Sequence, residues 1–419
     1  MSSLPSMATA PVLIVGAGPA GASLALQLAE AGVPVTLVEA SRDFSRQFRG
    51  EALMPSGQEA LAAMGLEPLL EGLSRRPLDG WSVWIEGRHL FTAEEPLGSQ
   101  RPCTLVAQAP LLEALVRRAR MAPGFTWLPG VAVGDLLWEN GRARGVRLVD
   151  GRCLPACLVV GADGRRSVVR QRAGLALESF EAPLDVLWFR LPSAPEFETP
   201  NRFITLVAGG QLASLFAGTT ADELQLGWVL PRGDPAAAAG RGERSSQDWA
   251  NAFAALAPPR LAEHLRQQGE CLQGPVRLTV EVGHCPLWQR PGVLLLGDAA
   301  HPMSPVRAQG LNMALRDSLV AARLLASLWT DRAAQGGNAG ADPTALDAAL
   351  GQIQSARQPE VKLIQGLQAE EGGRGETLRR HGVLRCGLAL GAPLLGPLVR
   401  QRWMAQQRVL RDGLPLPTW

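Results

Sequence analysis

The 419-residue chain carries 46% hydrophobic and 19% charged residues at a formal net charge of +2, an ordinary globular balance that argues against a disordered chain. No basic block marks a polyanion-binding face, so no nucleic-acid partner is expected. The length exceeds what one small core usually organises, which predicts two lobes.

The basic residues are almost all arginine, Lys362 being the single lysine, and 11 tryptophans stand against no tyrosine. No tyrosine hydroxyl is therefore available to orient or deprotonate a substrate. The six cysteines show no C-x-x-C pair and no zinc-site spacing, which predicts buried free thiols in a reducing cytosol. Residues 1–11 lack a charged segment followed by an apolar core, and no run supplies the roughly 18 apolar residues of a spanning helix. The nearest run, 386–399, is short and interrupted by Pro393 and Pro397. A cytoplasmic protein with no transmembrane segment is expected.

In chain order, Val12–Val15 reads as a buried strand, 16–21 as a glycine-rich turn, 22–31 as an amphipathic helix stopped by Gly32, and 35–38 as a second strand ending at Glu39. Residues 56–73 read as helix broken at Pro68, 81–91 as strand, and 110–120 as helix. Residues 125–161 hold strands with turn signals at Asn140-Gly141 and Asp150-Gly151, predicting a hairpin or meander beside the first sheet. From 175 to 285 the texture changes to short β runs at 186–191, 203–207, 212–217 and 224–230, followed by a polar insertion at 233–247. Residues 292–297 return to buried-strand character, 310–327 form a strong helix, 336–343 a linker, and the remainder is mostly helical.

Three motifs carry chemistry. Gly16-Ala17-Gly18-Pro19-Ala20-Gly21 is a G-x-G-x-x-G between a strand and a helix, where glycines let backbone N–H groups approach a pyrophosphate. Glu39, at the end of the next strand, can accept hydrogen bonds from an adenosine ribose with a free 2′-hydroxyl, as in FAD or NAD. The second motif is 159–167, containing Asp163 and Gly164. The third is 294–302, containing Gly297 and Asp298 and running through Pro305 to Gly310, Leu311 and Asn312. In both, an apolar strand leads into a glycine and an acid, a place where a carboxylate can hold sugar hydroxyls.

In these motifs, over about residues 16–325, the chain resembles the para-hydroxybenzoate hydroxylase superfamily of single-component flavoprotein monooxygenases. The resemblance implies an α/β fold: a Rossmann-type FAD-binding domain (8–75, 105–178 and 285–335), a second sheet-based substrate domain (76–104 and 179–284) and a C-terminal helical segment (344–419). It implies non-covalent FAD held by Gly16, Gly18, Pro19, Ala20, Gly21 and Glu39 at the ADP end. Arg49 and Gln108 would lie near the cofactor, Asp163 and Gly164 near the pyrophosphate, and Gly297 and Asp298 on the ribitol chain. Pro305, Gly310, Leu311 and Asn312 would run along the flavin ring. NAD(P)H would serve as co-substrate, and O2 would yield a flavin C4a-hydroperoxide that hydroxylates an aromatic or similarly electron-rich, largely apolar small molecule. A reductase or dehydrogenase on the same fold, for example one saturating isoprenoid double bonds, and a flavin-binding protein with lost or regulatory activity stand as alternatives. Trp81 and Trp84 are spaced W-x-x-W, unlike the W-x-W-x-I-P of flavin halogenases, and no second dinucleotide fingerprint of the Baeyer–Villiger kind is present.

Arg307 departs from the family, which commonly has glycine there. The leading expectation is a solvent-facing side chain; the alternative places its cation beside the flavin or an acidic substrate, or narrows the space beside the ring. Pro305 and Arg307 are the catalytic candidates near the flavin. His301 is read as structural or cofactor-supporting, and the other histidines as unpaired with any acid. Of Trp188, Phe189, Phe203, Phe216 and Trp228, one or two are expected to touch substrate.

Overall fold

Short apolar runs covered on both faces read as continuous hydrophobic segments rather than alternating ones, and Val12–Val15 is buried at every position. In the computed structural model, which describes residues 10–45, 51–98, 101–180, 184–219, 222–231, 244–278, 280–334 and 342–417, this run lies inside a six-stranded sheet. The order is Gln289–Arg290, Val293–Leu295, Leu158–Gly161, Val12–Val15, Val35–Glu39, Phe125–Pro129, all parallel except the first strand. The helix after the first strand is Pro19–Glu30, three residues earlier than the sequence suggested, because Pro19 is already preset for the first helical turn. Over 56–73 the helix Pro55–Ala63 stops before Gly65 (φ +69°), and Pro68 sits in a separate turn, Glu67–Leu70. Residues 133–155 form the expected meander, with Asn140 and Gly141 both at positive φ in its first turn.

The second sheet has seven strands, in the order Gln273–Leu278, Leu184–Pro192, Glu223–Pro231, Gln211–Ala217, Arg202–Ala208, Gly80–Ile85, Arg88–Glu94. Strand alternation divides its side chains between two faces. Leu187, Phe189, Leu215 and Trp228 pack against the helices Ser246–Leu256 and Pro259–Gln267 through Trp249 and Phe253. Trp188, Phe203, Thr205, Ser214 and Phe216 point the other way, into a cavity.

The two sheets are bridged by the helix Gln309–Ala334, the 38-residue helix Pro343–Arg380 and two further helices, Gly382–Leu390 and Ala392–Asp412. A buried charge network joins the first two. Asp317 accepts from the Gly297 amide at 3.1 Å and from Arg357 Nε at 2.8 Å, and lies 2.6 Å from His301 Nε2. Arg357 also pairs with Glu360, which accepts from Arg316 Nε at 3.1 Å and from the Leu414 amide at 2.8 Å. Burial pushes the Asp317 carboxyl upward, but His301 and Arg357 outweigh it and hold the group below the usual aspartate range. Arg357 and Arg316 do the same for Glu360.

Two expectations need correction. Cys103, Cys157 and Cys285 are buried free thiols, but Cys153, Cys271 and Cys386 are exposed. His284 has an acidic neighbour, Glu178 at 3.3 Å, because the strands Glu178–Phe180 and Val282–His284 pair antiparallel, a contact between segments a hundred residues apart.

Removing one member of a buried ion pair strands the other charge, at a cost of about 3–5 kcal/mol. Asp317→Asn is expected to lose that much in urea unfolding at neutral pH. Because the folded-state value is depressed, the stabilisation is complete above the ordinary aspartate value of 3.8 and lost as pH falls through the lower folded value. The gap between wild type and variant should therefore narrow below pH 3.8; a gap constant with pH would contradict the assignment.

Candidate active site

Register places the motifs side by side. Val15 pairs with both Gly161 and Val38, and Gly161 with Leu295, so Gly16, Ala162, Leu296 and Glu39 leave the sheet at one edge, the carboxyl ends of parallel strands. Gly16 has φ +96°, and an added Cβ would lie 2.5 Å from the Ala162 carbonyl oxygen; one on Gly21 would lie 1.9 Å from the Gly16 carbonyl oxygen. These two glycines are required by the protein's own packing. Gly18 is different: a Cβ there meets nothing within 4 Å, and no side chain caps the helix that it begins. An uncapped helix N-terminus open to a cavity suits an anionic group. Glu39 is buried, accepting from the Ala17 amide at 2.8 Å and the Ser41 amide at 2.9 Å, and it lines the same cavity.

Gly297, at φ +58°, opens the turn that carries Asp298, whose carboxylate accepts from Arg165 Nε at 3.2 Å and faces the cavity. Pro305, Gly310, Leu311, Gln108 and Gly164 line it as well. Asp163 lines it too, with its carboxylate also engaged internally, whereas Asn312 is held entirely within the protein. Asp163 accepts from Ser167 Oγ at 2.5 Å and from the Val168 and Val169 amides at 2.7 and 3.1 Å, at the start of the helix Val168–Arg172. Burial pushes its carboxyl upward despite these bonds. Asn312 is fully buried; its Oδ1 accepts from the Met54 amide at 2.8 Å, and its Nδ2 donates to the Ala52 and Ala308 carbonyls at 3.2 and 2.8 Å. Arg49 lies outside the described residues.

The cavity measures about 1470 Å³, beyond the roughly 300–1,000 Å³ usual for one drug-sized ligand. It has room for a dinucleotide and a second molecule. Its far half is aromatic: Trp81 and Phe203 centroids are 4.9 Å apart, and Phe203 stacks on Phe216 at 5.2 Å and 18°. The Trp81 indole donates to Glu95 at 2.6 Å, and Glu95 is held by Arg411.

Arg307 does not point to solvent. Its guanidinium carbon lies 4.9 Å from the Trp81 ring centre and 4.8 Å from that of Trp403, over both indoles, whose centres are 6.2 Å apart, and its Nε donates to Glu371 at 3.0 Å. Gln407 donates to the second Glu371 oxygen at 2.8 Å. Burial raises the Glu371 carboxyl, but Arg307 and Gln407 more than offset it and leave it below the usual glutamate range. The backbone at Arg307 has φ +58° and at Ala308 φ +50°, a region glycine enters freely and other residues at a cost of about 1–3 kcal/mol. The ion pair and the two cation–π contacts oppose that strain.

Sequence reading missed four residues here. Glu371 and Trp403 belong to the C-terminal helices, where no local pattern points to a site 64 or more residues upstream. Arg165 follows Asp163-Gly164 and reaches across to Asp298. Glu51 lines the cavity and accepts from Gln225 Nε2 at 3.0 Å and Thr219 Oγ1 at 3.3 Å, and burial pushes its carboxyl upward.

A dinucleotide cradle at the end of a parallel sheet, opening onto an aromatic chamber under a second sheet, defines a flavoprotein oxidoreductase of the para-hydroxybenzoate hydroxylase type. Residues 9–349 match the model of the FAD binding domain family, and the chain belongs to that family. It is 40% identical to 6-methylpretetramide 4-monooxygenase of Streptomyces rimosus over 74% of this chain and 73% of that one. It is 32% identical to the ubiquinone hydroxylase UbiL of Rhodospirillum rubrum over 85% of this chain and 79% of that one. Among solved structures, Pseudomonas aeruginosa PqsL in complex with 2-aminobenzoylacetate superposes with a TM-score of 0.73 at 25% identity, covering 88% of this chain and 98% of that one. Klebsiella pneumoniae HpxO complexed with FAD superposes with a TM-score of 0.70 at 20% identity, covering 97% and 100%. The chain is an FAD-dependent monooxygenase, and these relatives favour that activity over the reductase alternative.

Glu39→Ala and Asp298→Ala should each weaken flavin retention about tenfold, the worth of one charge-assisted hydrogen bond. The measurement is visible flavin absorbance per protein after gel filtration and the flavin released by acid; unchanged occupancy in both variants would displace the site. For the second cluster, a double-mutant cycle of Arg307→Gly and Glu371→Gln by urea unfolding should give a coupling of about 0.5–3 kcal/mol, and strictly additive effects would show that the pair contributes nothing.

Proposed function

We propose that the chain hydroxylates a flat, largely apolar aromatic molecule larger than a single benzoate ring, in the cytoplasm, with NAD(P)H and O2 as co-substrates. One observation carries this reading: Trp81, Trp188, Phe203, Phe216 and Trp403 all line the part of the cavity away from the glycine turn. Aromatic walls favour flat apolar ligands through area burial and offset ring contacts. Relatives named for 6-methylpretetramide and ubiquinone are in keeping with it.

In this reading Gly16, Gly18, Pro19, Ala20, Gly21 and Glu39 hold the ADP end of FAD, with Arg49, Gln108 and Gly164 alongside, and Gly297 and Asp298 hold its sugar-alcohol chain. Asp163 lies with Gly164 near the pyrophosphate, Pro305, Gly310 and Leu311 face the ring, and Asn312 fixes the turn that presents them. The domain division is as the resemblance implies: 8–75, 105–178 and 285–335 for the cofactor, 76–104 and 179–284 for the substrate. Bound FAD supplies the activation of O2. The chain's own work is to close the chamber to water with the second sheet and the C-terminal helices, and to orient the substrate against the indoles. With no tyrosine available, Glu51 is the cavity carboxyl suited to receive a phenolic proton, and Arg307 the cation suited to an oxyanion.

Incorporation of label from isotopic O2 should be efficient for fused-ring phenols and poor for small benzoates, with NAD(P)H consumed in step with product. Tightly coupled turnover of a small benzoate, with none on larger apolar aromatics, would refute the proposal.

A further inference from the structure

The helices Gly382–Leu390 and Ala392–Asp412 meet in an elbow of 106°. Their inner faces are engaged: Ala389 and Ala392 enter the core beneath, and an added Cβ on Gly396 would lie 2.2 Å from the Leu90 carbonyl oxygen. Their outer faces are bare. Val383, Leu390, Leu394 and Leu398 are 91%, 69%, 82% and 65% exposed, with Leu395 beside them. Exposed apolar side chains gathered in this way mark an interaction surface.

Two observations indicate what covers it. The first is charge: from Thr377 to Arg411 the sequence holds seven arginines and no carboxylate. Arg379, Arg385 and Arg411 turn inward to Glu376, Glu86 and Glu95, whereas Arg400, Arg402 and Arg408 stand exposed on the helix that carries the leucines. An apolar face bordered by arginine complements an anionic interface. The second is position. Leu384, Leu388, Val399 and Trp403 of the same two helices line the cavity, and Leu384 is also 43% exposed, so the patch and the cavity share a rim.

We propose that this elbow rests on an anionic membrane surface, its leucines in the headgroup boundary and its arginines against the phosphates, and that apolar substrate passes between the lipid and the cavity at the rim. Neither helix alone is long and apolar enough to cross a membrane; the two reach that length only together, bent by 106°, a shape suited to lying in the interface. The passage of substrate rests on the cavity reading given above; the attachment to lipid does not.

The test uses the FAD-loaded full chain without substrate, so that a wrong substrate assignment leaves it untouched. Sedimentation with vesicles of equal parts phosphatidylglycerol and phosphatidylcholine should pull down the protein, and phosphatidylcholine vesicles should not. The double variant Leu394→Asp/Leu398→Asp and the double variant Arg400→Glu/Arg408→Glu should each reduce binding about tenfold or more, with the flavin spectrum unchanged to show that the fold is intact. Absence of binding to the anionic vesicles, equal binding to both vesicle types, or undiminished binding by either double variant would overturn the proposal. So would a dimer in sedimentation velocity that Leu394→Asp/Leu398→Asp abolishes, since that result would assign the patch to a second copy of the chain.

Discussion

Asp317 is the hinge of the molecule's electrostatics. A carboxylate at full burial is tolerable only when its lone pairs are filled, and here the Gly297 amide, His301 and Arg357 fill them. Each partner is thereby fixed. The amide pins the turn that presents Asp298, His301 anchors the loop leading to Pro305, and Arg357 ties the long C-terminal helix to the helix Gln309–Ala334. Through Glu360 the same chain of charges reaches Arg316 and Leu414. The network buries several charges, and the cost of desolvating them offsets much of their mutual attraction. It sets where the ring-facing turn stands relative to both sheets.

The features legible in the sequence are those written in local periodicity and spacing. Glycines at 16, 18 and 21 between an apolar run and an amphipathic helix state their own geometry, and the acids at 39 and 298 follow strands whose register brings them to one edge. The β runs of the second lobe were readable as short apolar segments rich in aromatic and aliphatic residues. Which face of that sheet meets the cavity was not: Trp188 and Phe189 are equally aromatic and adjacent, yet one lines the chamber and the other packs on Trp249. More side chains reach the chamber than the sequence suggested, Trp188, Phe203 and Phe216 together. Arg307 shows the limit from another side. Its oddity was visible, but its fate depends on Glu371 and Trp403, and no pattern in the intervening residues foretells that meeting.

Arg307 also explains the family's preference for glycine in physical terms. The chain must pass through the left-handed region between Pro305 and the ring-facing helix, and glycine does so without strain. Arginine here accepts the strain and gains a cation lying over two indoles and clamped by a carboxylate. The result trades an adaptable turn for a stiffer one whose position depends on the far end of the chain.

That dependence on the far end has a temporal side. The cofactor cradle begins within the first forty residues, but Leu414 donates its amide to Glu360 and gives its carbonyl to Arg316, and Arg411 braces the Glu95 that holds Trp81. A chain still emerging from the ribosome can fold its amino-terminal strands and helix first, yet the ring-facing turn and the chamber wall lack these braces until residues 411–414 have docked. A nascent chain able to grip an adenosine end would thus still leave the other end of the cavity unbraced until residues 411–414 dock on Glu95, Glu360 and Arg316.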